Sequence, residues 1–527
     1  MSAADAVTAE VVQSSLAYAS EEMGIAVRNA AYSPNIKERL DHSCALFDRR
    51  GRLIAQAEHI PVHLGSLPWG LARTLEVLAA RGVTPAPGEQ WIVNDPYVAG
   101  THLNDVTVIM PVFHEGALVA YAANKAHHAD VGGAVPGSMS ADARDLFGEG
   151  LVLPPLRIVR DGLVVDEIVE LIRANSRSPE ARSGDLRAQL AGNATGERRV
   201  LELVERYGVV AFDAAVERFL GESERLTRAA LRALGDGTWS AEDFMEDERG
   251  EPAVRIRLTL TLRDGTATFD YTGTAAQVDA PINAVYGVTL SGVYYALRKV
   301  TGASIPMNEG CFRPVRVEVP AGTILSPLRP APVSGGNVET SQRNADVALL
   351  ALAQAAPGRV GAQSGGTMSN VTAGGRTSDG RAWTFYETNG CGMGARPFAD
   401  GIDAIQCHMT NTMNTPVEAI EREYPLRVER YEIARGTGGA GRFRGGNGLV
   451  RVLRVTDGTA SVVLLADRHA RAPRGAAGGG DGALGRHALL RDGVETALPA
   501  KTAVRLQAGD AVVVQTPGGG GYGESEH

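Results

Sequence analysis

The sequence lacks the features that would place it in several large classes. Only four cysteines occur in 527 residues, Cys44, Cys311, Cys391 and Cys407. None forms a CxxC pair, which argues against a zinc-finger or disulfide framework. No run of about 18 apolar residues exists, so no membrane-spanning helix is expected. Positive charge is in deficit: 52 Lys and Arg against 61 Asp and Glu leave a net charge of −9. A sequence-independent nucleic-acid binder would carry a basic face. The basic clusters here, such as Arg198-Arg199, are short and interleaved with acids, and read as solvated helix faces. No GxxxxGK[ST] phosphate loop occurs. The start, MSAADAVTAEVVQ, is acidic and lacks the apolar core of a signal peptide. The expectation is a soluble cytoplasmic protein with reduced thiols.

Glycine, by contrast, is abundant: 63 residues of 527, against a usual ~7%. The glycines cluster inside folded-looking sequence, which points to tight turns and close backbone approaches. The balance of 44% hydrophobic and 21% charged residues is that of a globular chain. The length implies two to four domains.

The expected class is α/β (mixed α+β) and multidomain, with a β-rich C-terminal region. Residues 5–31 read as an amphipathic helix carrying Val7, Val11, Leu16, Met23, Ile25 and Val27. A hairpin over 44–56 turns near Gly51, and a helix over 66–81 stops at Gly82. Strands are expected at 91–95, 106–113 and 118–124. Residues 179–235 read as one or two long helices. A hairpin over 255–274 turns at Asp264-Gly265; helices follow near 282–300 and 341–357. Residues 449–468 read as a hairpin around Asp457-Gly458, 476–485 as a glycine-rich loop, and TPGGGGYG (516–523) as a flexible C-terminal turn. The expected boundaries are 1–178 for an α/β domain, 179–235 for a helical segment, 236–430 for a mixed α/β domain and 431–527 for a β-rich domain.

The stretch 94–133 carries the densest chemistry. His102 and Asp105 lie three apart in a loop between strands, and His127, His128 and Asp130 follow the next strand. Imidazole and carboxylate together suit zinc, manganese or iron. Three ligands with open positions would make a catalytic site rather than a closed structural one. The plainer reading is a pair of hydrogen-bonded structural histidines. A second polar group, Glu38, Arg39, Asp41, His42, His59 and His63, suits a substrate pocket, a subunit interface or an exposed connection. Pro61 between His59 and His63 argues against paired ligands on one helix. VSGGNVETSQR (333–343) leads into a helix whose N–H groups are a weak candidate for binding an anion. Cys391, in a glycine-rich loop, is a minor candidate nucleophile.

ERLDHSCALFD, AQAEHIPVHLGS, NDPYVAGTHLNDV, AHHADVGG, GNVETSQR and TPGGGGYG, in this order over residues 10–525, resemble the hydantoinase B/oxoprolinase family. That family includes N-methylhydantoinase B-type chains, the second half of 5-oxoprolinase, caprolactamase, and the large subunits of acetone and acetophenone carboxylases. The resemblance implies a B-type subunit of an ATP-dependent cyclic amide hydrolase. A hydantoinase A-type partner, with an actin-like ATPase fold, would use ATP and Mg to phosphorylate a small cyclic amide, in an expected heterotetramer. The B-type chain would hold a divalent metal. The family's His-x-x-Asp motif with a later His maps to His102, Asp105 and His127, with His128 in reserve. The resemblance leaves Asp130 or His128 as general base or orienter, and Glu38, Arg39 and Asp41 for substrate or partner contacts. A ketone carboxylase subunit, whose family members tend to be longer, is the alternative; a metal-stabilised scaffold and a self-contained metallohydrolase are others.

Overall fold

The first helix forms because small and branched apolar residues recur every three or four positions, burying Ala9, Val12, Leu16, Ala19, Met23 and Val27 along Ala6–Ala30. Val7, Val11 and Ile25, expected on that stripe, face outward instead. The true stripe alternates the large Val12, Leu16, Met23 and Val27 with the small Ala9, Ala19, Ser20 and Gly24, which let the helix press closely against its neighbours. The computed structural model describes residues 6–57, 59–247, 249–302 and 304–525, so Asp5 of the expected helix lies outside the described residues.

The helix covers a seven-stranded sheet of β1 (His42–Asp48), β2 (Leu53–Gln56), β3 (Gln90–Val93), β4 (Asp105–His114), β5 (Ala117–His127), β6 (Leu156–Arg160) and β7 (Leu163–Val164). The strand order is β2-β1-β5-β4-β3-β6-β7, with antiparallel pairing throughout. β1 and β2 form the expected hairpin, with Gly51 at φ 78° in its turn. On one face, the helices Ala6–Ala30, Pro179–Tyr207 and Val209–Leu234 share a core with Cys44, Leu46 and Met110. On the other, Leu67, Leu71 and Leu78 of helix His63–Ala80 pack against Phe47, Trp91 and Tyr121.

A four-stranded sheet follows, built on the expected hairpin Val254–Arg263 and Thr266–Asp270. It packs with the helices Tyr286–Thr301 and Ser341–Ala355. The remaining strands form two sheets that share a core containing Val371, Phe385, Leu453, Val455 and Val512. The strand Leu426–Ala434 runs across position 430, and one sheet pairs Asn370–Arg376 with Thr459–Leu465.

Two expectations fail here for clear reasons. Gly448–Val455 and Thr459–Leu465 are not a hairpin; they belong to different sheets, and Asp457-Gly458 carries the chain from one to the other. A tight turn between apolar strands is compatible with either outcome, and here each strand finds other partners. Nor is TPGGGGYG a flexible turn. Gly518–Gly521 are buried, and their N–H groups donate to the carbonyls of Ala483, Gly446, Gln363 and Gly480. A Cβ on Gly519 would lie 2.2 Å from the Met393 carbonyl oxygen, so the bare backbone is what permits the packing. Among the described residues, no helix is long and apolar enough to cross a membrane.

Candidate metal centre

β4 and β5 run antiparallel from the two-residue turn Glu115-Gly116, both residues at positive φ. A β-bulge at Val112/Phe113 then shifts the register by one. Because of that shift, Asp105 lies directly across from His127, and directly opposed residues present their side chains to the same face. His102 approaches from the loop after the short helix Pro96–Ala99, which Asp95 caps at one end and Gly100, at φ 88°, closes at the other.

Three atoms meet: His102 Nε2 and His127 Nδ1 lie 3.1 Å apart, and Asp105 Oδ1 lies 3.1 Å and 3.2 Å from them. All three residues are buried. Atoms held about 2.0–2.2 Å from a tetrahedral ion are roughly 3.3 Å apart, so the spacing fits a divalent cation. The donor chemistry fits as well. His102 Nδ1 faces the Ser334 carbonyl at 3.3 Å, which keeps a proton there and turns the Nε2 lone pair to the cluster. Burial pushes the His127 ring below the usual imidazole range. Burial alone would raise the Asp105 carboxyl, but His102, His127 and His63 hold it well below the ordinary range. The His102 tautomer and the depressed Asp105 carboxyl thus turn lone pairs toward the cluster, as metal binding requires.

The second carboxylate oxygen is held separately. Asp105 Oδ2 lies 3.4 Å from His63 Nε2 and 3.5 Å from Asn337 Nδ2. His63 Nδ1 is in turn 2.8 Å from Ser43 Oγ. Burial lowers the His63 ring, and a neutral ring accepting from Ser43 donates its Nε2–H to Asp105. Asn337 sits in a π-helical turn, Gly336–Thr340, which leads into helix Ser341–Ala355. A Cβ on Gly336 would lie 1.8 Å from the Asn283 carbonyl oxygen, so only glycine allows this close approach. His63 and Asn337 therefore join the centre as positioning residues. Neither was legible as such, because they come from 42 and 232 residues away in sequence.

A cavity of about 20 Å³ adjoins the cluster, walled by Asp41, His63, Asp105, His127, Asn337 and Tyr386 among others. Tyr386 stacks on His127, with centroids 4.5 Å apart. Arg39 is fully buried, 4.9 Å from the Tyr386 centroid. It donates to Thr388 and Thr412 and pairs with Asp41 at 3.6 Å. Asp41 thus reaches the cavity and Arg39 braces its wall, which replaces the reading of an exposed connection. Glu38 is half-buried at the end of the short helix Pro34–Lys37 and does not line the cavity.

The structure does not bring His128 and Asp130 to the cluster. His128 lies 2.9 Å from Gln189 Oε1, on the helix beneath the sheet, because successive residues of a strand face opposite ways. The Asp130 carboxylate accepts from the N–H groups of Gly132, Gly137 and Arg177 and pairs with the Arg177 guanidinium at 3.1 Å, bracing a loop. The weak candidate for an anion-binding loop is filled from within: the N–H groups of Val333 and Ser334 donate to the buried Glu149 carboxylate. Cys391 is 1% exposed, and a hydrogen bond with the Cys407 thiol together with burial holds its own thiol well above the ordinary range, which weighs against it as a nucleophile.

Residues 5–525 match the family model described as hydantoinase B/oxoprolinase. An uncharacterized protein of Methanocaldococcus jannaschii is 45% identical over 98% of this chain and 91% of its own length. A putative D-/L-hydantoinase subunit of the B type, from Pseudomonas sp. strain NS671, is 34% identical, over 98% of this chain and 90% of its own. Arabidopsis thaliana 5-oxoprolinase 1 is 37% identical over 96% of this chain, which spans 41% of that longer protein. Among solved structures, the ATP-dependent caprolactamase from Pseudomonas jessenii superposes with a TM-score of 0.91 at 32% identity, covering 99% of this chain and 91% of that one. An acetone carboxylase chain shares the fold, with a TM-score of 0.82 at 19% identity over 98% of this chain and 75% of that one. From residue 5 to residue 525, this chain belongs to the hydantoinase B/oxoprolinase family.

Proposed function

We propose that this chain is the metal-bearing B-type subunit of an ATP-dependent hydrolase that opens a small cyclic amide, acting with a hydantoinase A-type ATPase in a hetero-oligomer. The observation that carries the reading is the buried His102–Asp105–His127 cluster beside a small cavity, in a chain that matches an ATP-dependent caprolactamase along nearly its whole length. Amide resonance makes a ring carbonyl a poor electrophile. Transfer of a phosphoryl group to its oxygen by the partner would make the carbon electrophilic and the oxygen a leaving group. A bound divalent ion, zinc, manganese or iron, would supply a water whose pKa is lowered toward ~7.

Within this reading His102 Nε2, His127 Nδ1 and Asp105 Oδ1 hold the ion. His63 and Asn337 fix the carboxylate through its other oxygen, and Ser334 fixes the His102 tautomer. Asp41, on the cavity wall, is placed to hold a polar reactant. Arg39 keeps Asp41 and Tyr386 in position. His128 and Asp130 brace the framework. The likeness to the carboxylase supports the fold alone at 19% identity, whereas the caprolactamase match supports amide opening. The test is metal content together with turnover in His102→Ala, Asp105→Ala and His127→Ala. Each is expected to lose bound metal and ring opening while remaining folded; retention of both in all three variants would refute the assignment.

A further inference from the structure

The cavity at the cluster is about 20 Å³, room for about one water. A lactam or hydantoin ring cannot enter it. A second pocket of about 440 Å³ lies across Ile60, which lines both spaces. Its volume falls in the range of about 300–1,000 Å³ common for small-molecule sites. Its walls pair the apolar surfaces of Ile60, Pro61, Leu64 and Met307 with two cations, Arg298 and Lys299, and no carboxylate lines it among the described residues. Lys299 Nζ lies 5.4 Å from the Tyr295 ring centroid, and Tyr295 Oη is 3.4 Å from His408 Nδ1. Arg298 donates to the Ile305 carbonyl, and Lys299 bears on the Tyr295 hydroxyl from the pocket wall. Ile60 is coupled to the centre as well: its N–H donates to Ser43 Oγ at 3.2 Å, the same hydroxyl that meets His63. The other sizeable pocket near the cluster, about 220 Å³, borders it through Tyr386. That wall is closed by the stack on His127 and by Arg39.

We infer that the 440 Å³ pocket is the ring-binding subsite, that it takes a small ring bearing a phosphoryl or carboxylate group, with Lys299 meeting the negative charge, and that Ile60 separates this ring from the water-sized space at His127. The inference rests on the proposed function and names where its substrate sits. An anionic ring placed there turns one edge toward Ile60.

Two measurements test this. In the complex with the ATPase partner, Lys299→Gln and Met307→Trp are each expected to raise KM for ring opening on the order of tenfold. Metal content should stay unchanged and kcat within about threefold, and Lys299→Arg should restore KM. Separately, binding of inorganic phosphate to the metal-loaded chain alone is read by calorimetry. The expected result is weakening by about tenfold in Lys299→Gln and recovery in Lys299→Arg, charge-assisted contacts being worth roughly that much. Unchanged KM in both variants, or phosphate binding indifferent to Lys299→Gln, would overturn the inference. If no complex opens any ring, the proposed function fails, and the phosphate measurement still judges the pocket.

Discussion

His63→Ala probes the centre without touching a proposed ligand. His63 Nε2 holds the Asp105 oxygen that faces away from His102 and His127, at 3.4 Å, and Ser43 fixes the ring from behind at 2.8 Å. Among the described residues, removing the imidazole leaves Asp105 Oδ2 with Asn337 alone, at 3.5 Å, so the carboxylate can rotate away from the position where its Oδ1 meets both rings. Groups that orient metal ligands typically contribute 10–100-fold in affinity, or about 1.4–2.8 kcal/mol. The assay is competition for the metal against a chelator of known affinity at neutral pH, with thermal unfolding recorded in parallel. The expected result is a 10–100-fold weaker site in a folded protein. An affinity within twofold of the parent would show that His63 does not orient Asp105. A loss beyond about 10⁴-fold would make His63 a ligand itself and refute the division of roles.

Gly519→Ala places a Cβ 2.2 Å from the Met393 oxygen and is expected to destabilise by ~2–4 kcal/mol. Gly221→Ala, inside a helix with nothing within 4 Å, is expected to be neutral or stabilising by up to ~1 kcal/mol; denaturant unfolding reads both. Burial pushes the Glu339 carboxyl up to about 8. The folded state therefore keeps a proton that the unfolded state releases near 4.5, and stability is full below that pH and lost as pH rises toward 8. Glu339→Gln should flatten this slope by up to ~1.4 kcal/mol per pH unit, and an unchanged slope would contradict it. Cys391→Ala should leave ring opening within about twofold, and a large loss would restore the thiol as a participant.

The centre was partly legible because its strongest signal is local. Asp105 and His127 sit at the ends of two strands joined by one hairpin, and His102 lies three residues before the first of them, so spacing alone brings them near each other. Spacing could not choose between His127 and His128, because the choice depends on the bulge at Val112/Phe113. Without it, Asp105 would pair with Ala126, and the histidine doublet would move by one position. The remaining contributors, His63, Asn337 and Ser334, arrive by tertiary packing from a helix start and a π-turn that no local pattern marks. The glycine runs misled for a different reason. Glycine signals either freedom or close approach, and the second alternative becomes visible only when the opposing carbonyls are in place around Gly518–Gly521. The strands flanking Asp457-Gly458 show the same limit for sheets: alternation and a turn define strands, but partners elsewhere in the chain decide which sheet each joins.

The most direct test of the central claim is ring opening of a lactam and hydantoin panel by metal-loaded chain, alone and with its A-type partner, with and without ATP and Mg. The account predicts opening only when chain, metal, partner and ATP are all present, and none with Asp105→Ala. Opening by the chain alone without ATP would contradict the division of labour and mark a self-contained metallohydrolase. Turnover of a ketone with bicarbonate in place of ring opening would mark a carboxylase.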